Sequence, residues 1–114
     1  MKTWAITDEH GRVIAFEVSM ISVGLNEIQK ILQSNSEVGQ LNQRRIFSAA
    51  SEVHMTFSFR GDIHVVWEPF GDNSRYWIGP KDKLPQSKDI AELEKSFQNY
   101  KPTLWKRMLG LLKF

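Results

Sequence analysis

Two histidines, a glutamate and an arginine in the middle of the chain have the side chains that acid–base chemistry requires. His54 and Glu68 can form the pair in which a carboxylate orients a histidine that acts as a general base. With His64 and Arg60 added, the group suits cleavage of a phosphodiester, as in a ribonuclease-like hydrolase. Cross-strand pairs of opposite charge are also, however, the ordinary way in which proteins cover an exposed sheet face.

Whether these groups meet depends on how two β-strands pair. Residues 53–59 and 63–67 alternate between apolar and polar side chains, which is typical of strands. A loop made of Arg60-Gly61-Asp62 puts every large apolar side chain of both strands on one face and leaves the histidines in solvent. A two-residue Gly61-Asp62 loop would instead place His64 and Glu68 among the phenylalanines. Because a one-residue slip exchanges the two faces, burial favours the three-residue loop.

In this predicted register, the opposed residues form two sets. The apolar face pairs Phe59 with Ile63, Phe57 with Val65 and Met55 with Trp67, and the exposed face pairs His54 with Glu68 and Ser58 with His64.

Other segments of the chain should surround this hairpin. Strand-like periodicity predicts a hairpin of residues 2–7 and 12–18 and a strand over 75–79 that stops at Gly79-Pro80. Helical periodicity predicts a helix over 21–34, capped by Ser22 or Asn26, and a second helix that begins at Ser87 or Asp89. Residues 33–43 are polar and predict a loop. This order predicts an α+β fold, in which an antiparallel sheet of about five strands (order β-β-α-β-β-β-α) has helices packed on one face.

The bulk composition restricts the class of protein. A length of 114 residues is typical of one domain, so residues 1–114 should form a single α+β domain. The absence of cysteine excludes a disulfide framework and thiolate zinc sites, and it suits a reducing cytoplasm. Three histidines without close ligand spacing do not form a zinc signature. We therefore expect a cytoplasmic protein with no catalytic residue, no metal and no cofactor.

The end of the chain is basic and apolar. After Lys101-Pro102, residues 102–114 predict an amphipathic helix that belongs to the domain. This helix can cover the core, or it can dock on an anionic membrane or in the groove of a partner. The net charge of the chain is only +2, from 15 basic and 13 acidic residues, so we do not expect nucleic acid or a membrane surface as the main partner.

Aromatic residues surround a polar turn between residues 64 and 80. Alternation along the last strand sends Trp77 to the polar face, and arginine and aspartate at an aromatic rim are typical of interaction hot spots. The polar residues there are also standard turn formers, so a turn without a binding role is the alternative. The predicted partner-binding residues are Glu68, Phe70, Asp72, Asn73, Arg75 and Trp77.

These observations favour a small, non-catalytic protein-binding domain. Size and fold class suggest, by analogy, an immunity protein that neutralises a cognate bacterial toxin. Inhibitors of basic nucleases are usually acidic, whereas this chain is mildly basic, so such a partner would need an acidic surface or contacts through Asp72 and Glu68. The alternatives are a hydrolase that uses His54, Glu68 and His64, and a surface adaptor that uses the C-terminal helix.

Overall fold

The computed structural model describes residues 1–19, 24–43, 53–68, 75–82 and 89–100. The elements in chain order are β1 (Thr3–Thr7), β2 (Val13–Ser19), α1 (Leu25–Ser34), β3 (Val38–Gln43), β4 (Val53–Phe59), β5 (Asp62–Trp67), β6 (Arg75–Pro80) and α2 (Ala91–Gln98). The strands form one sheet in the order β1-β2-β6-β5-β4-β3, and all neighbouring strands are antiparallel. The α+β class is therefore confirmed, with six strands where about five were expected.

Both helices pack on the same face of the sheet, which we call the inner face. Their apolar stripes share one core cluster with the inner-face side chains of the strands. Its fully buried members are Ile28, Ile31 and Leu32 from α1, Ile90, Leu93 and Phe97 from the α2 region, and Phe16, Val18, Met55, Phe57, Phe59, Val66 and Ile78 from the sheet. The helical periodicity thus predicted the buried apolar residues of both helices, but not Glu94 of α2, which is also buried.

The starts of the helices differ from the predictions. In α1, Gly24 is the N-cap and makes no side-chain cap, so Asn26 does not cap the helix, and Ser22 lies outside the described residues. In α2, the first helical residue is Ala91, whose amide donates to Asp89 Oδ1 over 2.8 Å. Ser87 and the predicted helix of residues 102–114 also lie outside the described residues.

Strand β3 replaces the polar loop predicted over residues 33–43. Val38 and Leu41 pack against the core cluster, so the segment does have an apolar side. The pairing with β4 shifts between Gly39 and Asn42, where Gln40 has a φ of 48°. Because of this bulge, the apolar side chains are three positions apart rather than two, and the alternation by which a strand is recognised is lost.

The hairpin between β4 and β5 turns through two residues, not three. Phe59 pairs with Asp62, and the loop consists of Arg60 (φ 50°) and Gly61 (φ 89°). Positive φ at both central residues is the mark of a type I′ turn, whose twist matches that of the strands it joins. The predicted three-residue loop is therefore wrong, because turn geometry outweighed the burial of two large side chains, those of Ile63 and Trp67.

Two contacts hold Arg60 in this unusual conformation. Its guanidinium lies 4.9 Å from the centroid of the Phe59 ring and bonds to the carboxylate of Glu37, which precedes β3. The hydrogen bond from Arg60 lowers the pKa of Glu37. These contacts offset part of the strain that a non-glycine residue has at positive φ.

The shorter turn reverses the faces of β5. His64 pairs with Phe57 on the inner face and is only 3% exposed, whereas Ile63 pairs with Ser58 and is 44% exposed. The predicted pairing of Ser58 with His64 and the exposure of His64 are therefore wrong. The His64 ring stacks on Phe57 at 5.6 Å, and its Nδ1 donates to the carbonyl oxygen of Asp62 over 3.0 Å, so a polar ring is accommodated in the core.

Substitution of neighbouring residues on β5 tests this register. We expect His64→Ala to lower the free energy of unfolding by about 2 kcal/mol, because it removes a buried ring from a packed core. Ile63→Thr should change it by less than about 0.5 kcal/mol, since it keeps a β-branched side chain at an exposed position. Urea unfolding of both variants measures the difference, and the opposite ranking would favour the three-residue loop.

The turn itself makes a second prediction. Gly61→Ala should cost about 1 kcal/mol of stability, because an L-residue with a Cβ is strained at this φ. Gly61→Asn should cost less, since asparagine tolerates positive φ better than alanine does. Thermal unfolding of the two variants compares them directly, and equal stabilities would contradict a type I′ turn at this position.

Candidate functional site

The side of the sheet opposite α1 and α2, here called the outer face, has a row of aromatic side chains. Directly opposed residues in neighbouring strands point to the same side of a sheet. On the outer face, the pairings join Trp4 to Glu17, Glu17 to Trp77 and Trp77 to Trp67. We call these four residues the tryptophan row. It crosses four of the six strands in one line, from β1 to β5.

Trp77 at the centre of the row lies against the backbone of its own strand. A Cβ on Gly79 would come within 2.6 Å of Trp77 Cη2 and 2.8 Å of Ala15 Cβ, so the indole occupies the space above Gly79. Ala15 is 1% exposed, and Val65, which pairs with Gly79, is 6% exposed. The small residues Gly79 and Ala15 therefore leave room for the six-membered ring of the indole close to the sheet.

The end of the row on β5 is apolar and exposed. The Trp67 ring meets Trp77 edge-on at a centroid distance of 5.7 Å and an interplanar angle of 84°. Trp67 is 38% exposed, and Ile63, on the same face of the strand, is 44% exposed. Edge-to-face packing fixes the Trp67 ring while a large part of it still faces solvent.

The end of the row on β1 is cationic. The Arg75 guanidinium carbon lies 3.6 Å from the centroid of the Trp4 ring, and Arg75 Nη1 donates to Glu17 Oε1 over 3.2 Å. Lys2 Nζ lies 5.1 Å from the same ring centroid. Stacking and the ion pair together hold the guanidinium in one orientation, which a free surface arginine would not have.

A separate polar cluster lies at the edge of the inner face. His54 Nε2 is 3.1 Å from Glu68 Oε1, and the His54 ring meets the ring of Tyr76 edge-on at 5.8 Å. The pairing of β4 with β5 shifts between Val53 and Met55, and this bulge turns His54 towards Tyr76. The predicted contact of His54 with Glu68 is present, but it lies beside the core residue Tyr76 rather than on the exposed face.

The predicted catalytic group is not assembled as a unit. His54 and Glu68 form a hydrogen-bonded pair with 29% and 17% of their side chains exposed. His64 is buried between Phe57 and Phe59, whose rings lie 5.6 and 6.0 Å from the imidazole. A substrate in solvent can therefore reach His54 but not a buried His64.

The predicted partner-binding residues fall into three groups. Arg75 and Trp77 lie on the outer face, where strand alternation placed them, whereas Glu68 bonds to His54 on the other side of the sheet. Phe70, Asp72 and Asn73 lie outside the described residues. The sequence prediction missed Trp4, Glu17 and Trp67 as members of this surface, and it placed Trp67 in the core.

Comparisons with known proteins assign no family to the chain. The chain matches no protein-family model, and comparisons with curated proteins and with solved structures return no match. Among the described residues, histidine and acidic side chains form no group of three that could hold a metal ion. Within the same ranges, neither helix is long and apolar enough to cross a membrane.

Tyr76 provides a pH test of the inner cluster. Burial, with a smaller effect from the Glu68 carboxylate, raises the pKa of Tyr76. The native state therefore holds the phenol proton more tightly than the unfolded chain, and the stability that this provides is lost as the pH rises above about 10. We expect the free energy of unfolding to fall more steeply in this range for the wild type than for Tyr76→Phe. Urea unfolding at several alkaline pH values measures both slopes, and equal slopes would contradict the burial of this phenol.

Proposed function

We propose that the protein is a non-catalytic protein-binding domain and that the outer face of its sheet is the contact surface. The observation that supports this proposal best is the tryptophan row, whose rings pack on one another and on Arg75 and which leaves Trp67, together with Ile63 on the same face, exposed to solvent. Tryptophan and arginine are the residues most enriched in interaction hot spots, and contiguous exposed apolar side chains are typical of binding surfaces.

The fixed conformations of the side chains in and beside the row favour high affinity for a partner. Trp77 is fixed above Gly79, and Arg75 is fixed on Trp4. Side chains that are already held in one conformation lose little entropy when a partner binds, so more of the contact energy appears as affinity. Phe70, Asp72 and Asn73, which follow Glu68 in the sequence, remain predicted members of the same contact region.

The more specific form of the proposal is an immunity protein that neutralises a toxin domain. Its support is the size of the chain, its lack of cysteine and a surface suited to covering another protein. Such a protein would act by occupying part of the toxin, and it would need no chemistry of its own. The use of the basic C-terminal segment as a membrane or nucleic-acid adaptor stays a prediction from the sequence.

A hydrolase is the second candidate, and one observation favours it. His54 and Glu68 have the distance and the partial exposure of an oriented general base. Assays of the wild type and His54→Ala with RNA and ester substrates test this candidate. Hydrolysis that is lost in the variant would favour it, and an inactive wild type would end it.

Removal of the exposed tryptophan tests the binding proposal. We expect Trp67→Thr to weaken partner binding by about 2 kcal/mol, which is roughly thirtyfold in Kd, while the fold is kept because threonine suits a strand. Proteins captured from the source organism by the wild type should be recovered by the control Lys30→Glu, which lies on α1, and not by Trp67→Thr. Equal capture by all three forms, with all three folded by circular dichroism, would rule out the outer face as the contact surface.

A further inference from the structure

The two ends of the tryptophan row differ in charge, and this difference restricts the partner. At the β1 end, two cations, Lys2 and Arg75, accompany one carboxylate, Glu17, around the Trp4 ring. At the β5 end lie Trp67 and Ile63, the large hydrophobic side chains that are exposed among the described residues. A complementary partner therefore presents an apolar group to one end and negative charge to the other.

Arg75 is suited to receive that negative charge. Its side chain is 37% exposed, and within the described residues it donates to Glu17 through Nη1. An arginine has further N–H donors in a planar fork that matches the two oxygens of a carboxylate. Because its stack on Trp4 already orders the guanidinium, a second carboxylate can bind without much additional loss of side-chain entropy.

The spacing of the two ends sets the length of the recognised segment. Arg75 belongs to β6, but its guanidinium lies on the ring of Trp4 in β1, and three steps across the sheet separate β1 from β5. Neighbouring strands lie about 4.8 Å apart, so the ends are about 14 Å apart, a distance that roughly four residues of extended chain cover. A segment that joins both ends must cross the strands, in contrast to a peptide that pairs with an edge strand.

We propose that the outer face binds an extended protein segment in which an aliphatic or aromatic residue and an acidic residue are separated by about four positions. The apolar residue contacts Trp67, and the acidic residue bonds to Arg75 with Lys2 nearby. This inference rests on the proposed function and adds the chemistry of the partner. Single-stranded nucleic acid fits less well, because Arg75 already covers a face of the Trp4 ring on which a base would stack.

Selection from displayed random peptides tests the inference, with the full-length wild type as target and Trp67→Thr as the counter-target. We expect enriched peptides to carry the apolar and acidic residues at the proposed spacing. Arg75→Glu should weaken their binding by about tenfold or more, and exposed Lys2→Glu by less, whereas Lys30→Glu should have no effect. Replacement of the acidic residue of the peptide by lysine should restore binding to Arg75→Glu, which a purely structural role of Arg75 would not produce.

Several results would overturn the inference. If the enriched peptides need Trp67 but lack an acidic residue, or if the charge exchange does not restore binding, the proposed acidic residue of the partner is excluded. The outer face would then remain a candidate protein-binding surface. If Arg75→Glu proved unfolded, the Lys2→Glu variant would replace it in this test. Unchanged peptide binding by a folded Lys2→Glu variant would then exclude an acidic residue from the recognised segment. Tighter binding of an oligothymidylate than of any peptide, or a dimer that Trp67→Thr dissociates, would replace the peptide with nucleic acid or a second copy. If no peptide is enriched, the inference fails, and the capture experiment still decides the proposed function.

Discussion

The two-residue turn at Arg60 and Gly61 determines which side chains of the central hairpin meet the helices. Side chains along a strand alternate with a period of two, so one extra loop residue would bring Ile63 and Trp67 inward and push His64 out. This turn places the imidazole of His64 in the core, and its backbone twist agrees with that of the strands it joins. Because Trp67 points outward only in this register, the aromatic surface on the outer face depends on the same turn.

Local patterns in the sequence were sufficient for much of the fold. The apolar stripes of α1 and α2 follow from the helical period, and the α+β class follows from the order of elements. Strand β3 could not be found this way, because the bulge at Gln40 breaks its alternation. The register of β4 with β5 was missed for another reason. Burial of apolar side chains alone favours the register that covers Ile63 and Trp67. The backbone preference of the turn, which decides the register, is not contained in that criterion.

The candidate surface was less accessible to prediction than the fold. Alternation alone placed Arg75 and Trp77 on the outer side of β6. Their neighbours could not be inferred, because β6 lies between β2 and β5, and this strand order is a long-range property that the local pattern does not contain. The contact of His54 with Glu68 was anticipated on the wrong face, because the shorter turn reverses the face of Glu68 and a bulge in β4 changes the direction of His54.

The position of Trp77 above Gly79 has an evolutionary consequence. Any larger residue at position 79 would collide with the indole and with the Cβ of Ala15, so both neighbours require the glycine. The three positions are thus coupled, and a change at one alters which changes the others tolerate. Divergent descendants of this chain that replaced Gly79 would need changes at positions 15 and 77 as well, and joint variation at the three positions would record where the surface had changed its role.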